Sequence, residues 1–132
     1  MSNLFGTIVL SVIALFFLST SWGSFSNPKQ FAERLGFALP GADGLNEIRA
    51  QYGGFFLAAA VCGVLALAGW IPRNTAFVVN ITIFGGLVAG RLVSLFLDGG
   101  IRKYGPLIRA LFVIDALGFA LSVVAFTLER SH

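Results

Sequence analysis

Four apolar stretches, each close to the ~20 residues a helix needs to cross the ~30 Å hydrocarbon core of a bilayer, take up most of this chain. They run Leu4–Trp22, Tyr52–Trp70, Asn74–Leu97 and Pro106–Leu128. Of the 132 residues, 57% are apolar and 11% charged, against about 25% charged in an ordinary soluble domain. A soluble chain this short buries only about 60–70% of what it exposes unfolded, too little to hide so much apolar surface. The expected fold is therefore all-α, an integral membrane four-helix up-down bundle forming one domain over 1–132.

The connections set the expected order of the helices. Between Trp22 and Asn46 lies the one long loop, and within it Asn27-Pro28 is a helix-start signal. The run from Lys29 to Leu35 places Phe31 and Leu35 on one face and Lys29, Glu33 and Arg34 on the other, and Gly36 stops it. That pattern predicts a short amphipathic helix in the headgroup region, with Phe31 and Leu35 toward the acyl boundary. Pro72 is expected to end the second helix, with Asn74 or Thr75 capping the third. Pro106 opens the fourth after the glycine-rich Asp98–Gly105 link.

Four spans put both termini on one side. Lys29, Arg34, Arg49, Arg102, Lys103 and Arg109 then share the other side, which the Lys/Arg bias assigns to the cytoplasm. The expected site is a bacterial inner membrane with both termini extracytoplasmic. The net charge of +3 reads as topology, and no nucleic acid is expected as a partner. The first stretch lacks the positive n-region of a signal peptide and is read as a span.

Charges inside the apolar stretches are the functional signal, because an ionisable group near the bilayer centre costs at least ~2.5–3.5 kcal/mol on insertion scales. Arg91 lies seven residues before Asp98, and Asp115 nine after Pro106. At 1.5 Å per residue both sit roughly 10–14 Å in from the same boundary, so they are expected to pair. Glu47, Arg49 and Tyr52 enter the second helix from that side. A polar cavity walled by the second, third and fourth spans follows. Arg49 and Arg91 would meet an anionic or carbonyl headgroup there, and Tyr52 and Phe84 its ring or tail. A buried ion network that merely locks the bundle is the competing reading.

Other residues narrow the chemistry. The single cysteine, Cys62, allows no redox pair and the single histidine is His132, so neither a bis-histidine haem nor a metal site of the usual donors is expected. Gly86 and Gly90 form a GxxxG, expected to pack within the bundle, as are Ala59 and Gly63. Thr7, Ser11 and Ala14 mark the inward face of the first helix.

Asn46, the run Arg49-Ala50-Gln51-Tyr52-Gly53-Gly54, Gly90-Arg91 and Asp98-Gly99 together resemble an uncharacterised bacterial domain-of-unknown-function family of small four-helix membrane proteins, allied to the DoxX-like proteins. The resemblance implies a four-helix bundle with a polar cluster at one membrane face. DoxX-like relatives are associated with oxidoreductase partners or with sterol and lipid handling, and no catalytic residue carries over. Three functions are weighed. The first is a non-catalytic accessory, scaffold or amphiphile-binding module, its ligand a bound lipid or quinone and its partners membrane lipids, a larger membrane complex or further copies of itself. The second is a quinone-coupled oxidoreductase component. The third is a proton or small-solute conduit formed by an oligomer.

Overall fold

The computed structural model describes residues 2–38 and 41–130, and every regular element among them is helical. Helix α1 spans Ser2–Ser26 and α2 spans Pro28–Arg34. Helix α3 is continuous over Ala42–Leu67; within it Arg49–Gly54 forms a π-helical turn between α-helical Ala42–Ile48 and Phe55–Leu67. Helix α4 covers Arg73–Asp98 and α5 covers Pro106–Arg130, with a short 3₁₀ turn at Ile101–Lys103 before α5. Helices α1, α3, α4 and α5 are each long and apolar enough to cross a membrane.

The helix ends follow local chemistry. Asn27 accepts a hydrogen bond from the Gln30 backbone N–H at 3.1 Å and Pro28 sits in the first turn of α2, the start read from the sequence. Gly36, with φ +89°, closes α2 while Phe37 N–H reaches back to Ala32 O at 2.8 Å. The same closure ends α3: Gly69 has φ +81° and Trp70 N–H donates to Leu65 O at 2.9 Å. Only a residue comfortable at positive φ completes this motif. Gly69, and not Pro72, therefore terminates the second long helix. Pro72 instead stands at the N-cap position of α4, where neither Asn74 nor Thr75 makes a side-chain cap. Helix α3 also begins earlier than its hydropathy suggests, at Ala42 and not Tyr52, because polar Asn46–Gln51 continue the helix ahead of the apolar run.

Helix α1 packs along α3 and α5, and α4 packs along α5. On the α4–α5 pair, Arg73 meets Glu129, Phe84 meets Gly118 and Arg91 meets Asp115, so numbering falls on one helix as it rises on the other. Between α1 and α3, Ser24 donates to Ile48 O and Ser21 to Gly53 O, both at 2.9 Å. These hydroxyls satisfy carbonyls at the two ends of the π turn, where regular i→i−4 bonding is interrupted. The core is aromatic: Phe17 lies 5.2 Å from Phe56 and 5.5 Å from Phe84, between small residues Ala59, Ala60 and Ala125. Gly118 is required there, since a Cβ would come within 2.6 Å of the Phe84 ring. Gly63, of the Ala59/Gly63 pair, packs against Ala14 on the inward face of α1, a Cβ on Gly63 falling 3.5 Å from that of Ala14. The Gly86/Gly90 pair does not: a Cβ on either meets nothing within 4 Å, so this GxxxG is not used inside the chain.

Large apolar side chains face outward as well as inward. Ser21, Ser24, Asn80, Asp115 and Ser122 are buried, while Trp22, Trp70, Phe96 and Leu97 are largely exposed. Exposed apolar side chains run along all four long helices.

Candidate functional site

A cavity of about 330 Å³ lies beneath α2, and all five helices contribute to its lining. Phe16, Ser19, Thr20 and Gly23 of α1 form one wall, Tyr52 and Phe56 of α3 a second, and Leu87 and Arg91 of α4 a third. Leu107, Leu111 and Asp115 of α5 face them, with Phe31, Arg34 and Leu35 at α2 and its C-cap. Most of these groups are apolar. The charges are Arg34, Arg91 and Asp115.

Arg91 and Asp115 form the ion pair expected from their matched depth. The Arg91 Nε–H donates to Asp115 Oδ2 at 2.5 Å, and the side chains are 23% and 3% exposed. The guanidinium also stands 5.7 Å from the Phe112 ring centroid. A lone carboxylate buried this deeply would be strongly unfavourable, and the guanidinium neutralises it. The two Arg91 Nη groups make no hydrogen bond to any described residue.

Helix α2 carries its apolar face inward. Phe31 packs on Tyr52 with ring centroids 5.2 Å apart and lies over Gly23, where a Cβ would approach Phe31 Cδ2 to 3.3 Å. Leu35 lines the same cavity. Their expected orientation toward the acyl boundary is thus corrected: α2 roofs the cavity because α1 and α3 already offer an apolar surface directly beneath it.

Of the residues expected to form the site, Tyr52, Arg91 and Asp115 come together, and Glu47, Arg49, Phe84 and Asp98 do not line it. Phe84 is 1% exposed and stacked on Phe17, so it belongs to the core below. Arg49 is exposed and makes no ion pair among the described residues, and Glu47 accepts a 2.9 Å hydrogen bond from Gln51. The π turn explains this. Its i→i+5 bonding widens the helix, so faces counted at 3.6 residues per turn lose register across Arg49–Gly54. Asp98 is held elsewhere, accepting from Tyr104 Oη at 2.6 Å and Ser94 Oγ at 3.1 Å. That cluster ties the end of α4 to the following loop. The Tyr104 phenol, outside the long helices, is pushed above its ordinary value of 10.0, chiefly because its O–H is donated to Asp98.

The expected cavity between the second, third and fourth spans also needs correction. Between α3 and α4 there is an open groove lined by Gln51, Phe55, Ile83 and Gly86, which shares Tyr52, Phe56 and Leu87 with the deeper cavity. The partly open site itself includes α1 and α2; periodicity did not single out Ser19 and Thr20, and it set Arg34 on the face opposite Phe31 and Leu35, whereas all three line the same cavity. A second ion pair also escaped the sequence reading. Arg73 Nε donates to Glu129 Oε1 at 2.7 Å, while its Nη groups donate to Thr7 Oγ1 and Asn3 O at 3.0 Å. Both residues sit at helix ends, where a charge costs little and draws no notice. Gly6 makes room for this cluster, since a Cβ there would fall 2.8 Å from Arg73 Nη2.

Four long apolar helices with a buried Asp115 paired to Arg91, and a polar-tipped cavity at one end, define a small helical bundle of the membrane-spanning type in length and composition. The chain belongs to the family of the domain of unknown function DUF4345, whose model matches residues 5–126. No curated protein and no solved structure matches it.

Proposed function

We propose that this chain is an integral membrane protein that binds a small amphiphile, a lipid or quinone-like molecule, in the cavity beneath α2. The cavity carries this reading: about 330 Å³, walled by aromatic and aliphatic side chains, with charge confined to Arg34 and the Arg91–Asp115 pair. Ligand sites of this kind are mostly apolar, with a few polar groups that fix orientation, and commonly lie between bundle helices. The alliance with DoxX-like proteins proposed from its motifs agrees with a lipid-handling or accessory role. The module acts without catalysis of its own, within a larger membrane complex or as a homo-oligomer. The oxidoreductase and conduit readings draw no specific support from the cavity.

In the proposed arrangement α1, α3, α4 and α5 cross a bacterial inner membrane in up-down-up-down order with both termini extracytoplasmic. Supporting this, Arg34, Arg49, Arg102, Lys103 and Arg109 gather toward the end of the molecule that holds Asp98 and Tyr104, opposite the end where Arg73 meets Glu129. The Lys/Arg-rich end is the cytoplasmic one. Sided thiol labelling of Ser2→Cys, Arg102→Cys and Ser131→Cys in a Cys62→Ala background tests the arrangement. Cytoplasmic reactivity at position 102 alone is expected; termini on opposite sides would end it.

For the ligand, the full chain extracted from native membrane is compared by lipid mass spectrometry with Thr20→Phe, which fills the cavity. A specific amphiphile should accompany the parent chain and be depleted from the variant. Equal recovery from both, or none from the parent, would overturn the reading.

A further inference from the structure

We infer that the ligand of this cavity carries an anionic head, a carboxylate or phosphate oxyanion, clamped between Arg34 of α2 and Arg91 of α4. This rests on the amphiphile reading above and sharpens it. Two guanidiniums and one carboxylate line the cavity. With Asp115 matched to Arg91, one positive charge remains uncompensated beside apolar walls. Arg34 makes no ion pair or hydrogen bond among the described residues, and the Arg91 Nη groups make none either.

Arginine carries five N–H donors, and the unmatched Nη donors of partly buried Arg91 are unfavourable without an acceptor, while Arg34 stands exposed at the rim of the cavity. Asp115 takes only the Nε–H, which fixes the guanidinium plane and leaves its Nη edge free. A planar oxyanion meets such an edge with two parallel hydrogen bonds, and a second guanidinium closes on the same oxygens from above. A neutral carbonyl or hydroxyl would satisfy a donor but leave the charge unbalanced. A cationic head would be repelled. Because Arg34 rides on α2 while the others sit on long helices, an anion joining the two would hold the roof closed. Phe31 on Tyr52 is the contact this closure preserves.

The test uses two probes of equal chain length, dodecanoate and dodecanol, binding to the full chain in a neutral detergent and read by native mass spectrometry. Dodecanoate should bind at least about tenfold more tightly, as charge-assisted hydrogen bonds require. The preference should vanish in Arg34→Ala and persist in Arg34→Lys. Arg34 has no partner to strand, so both variants should fold like the parent. Equal affinity for the two probes would overturn the anionic head while leaving an amphiphile site standing; failure of both to bind would overturn both readings. A third arm adds inorganic phosphate at millimolar concentration to the dodecanoate complex. No displacement supports an oxyanion borne by the amphiphile, whereas displacement supports the same oxyanion site with the free anion as its source.

Discussion

The Arg91 guanidinium grips Asp115 through Nε alone, at 2.5 Å, with the carboxylate almost wholly buried and the guanidinium still lining the cavity. One ion pair thereby serves two ends. It neutralises a carboxylate in the α4–α5 interface and holds the remaining guanidinium donors in a fixed plane.

That coupling is measurable. Asp115→Asn and Arg91→Gln should each destabilise the chain, by up to ~3–5 kcal/mol for a fully buried pair and less here because Arg91 is 23% exposed. The double variant should recover much of the loss in a detergent-unfolding cycle. Simple addition of the two losses would mean the residues are not coupled.

Tight packing between α4 and α5 predicts a second effect. Gly118→Ala places a methyl against the Phe84 ring, which is itself stacked on Phe17 and cannot retreat. Overpacking of this kind costs about 1–3 kcal/mol. Gly86→Ala, with open space around it, should be neutral or slightly stabilising in the same unfolding assay.

The cluster at the opposite end should matter as well. Arg73 ties the starts of α1 and α4 to the end of α5 through Asn3, Thr7 and Glu129. Glu129→Gln should destabilise by about 1–3 kcal/mol, the cost of leaving partly buried donors badly matched. Thiol reactivity of an Asn3→Cys probe should rise in parallel as that end loosens.

Tyr104 supplies a pH signature. Its folded pKa lies above the ordinary 10.0 because the phenol O–H is donated to Asp98. The contact therefore stabilises fully below the unfolded value and is lost as pH rises through the folded one. In a Tyr52→Phe background, phenolate absorbance should appear at higher pH than for a free tyrosine. Asp98→Asn should move it back down. An unchanged titration would mean the hydrogen bond does not form.

The all-helical class, the four long helices, the cap at Asn27 and the pairing of Arg91 with Asp115 were legible in the order of residues alone. Each rests on local or one-dimensional information: apolar length, capping chemistry, and depth counted at a fixed rise per residue. Which side chains share a cavity emerged from helix packing. Helical periodicity assumes an unbroken register, and the π turn at Arg49–Gly54 breaks it, so Arg49 and Glu47 fall outside while Tyr52 turns in. The role of α2 was likewise illegible, because an amphipathic face has the same spacing whether it meets lipid or protein. Phe84 read as a ligand contact until Gly118 made room for its ring in the core. Arg73 and Glu129 stand 56 residues apart, and nothing in a linear sequence signals that two helix ends will meet.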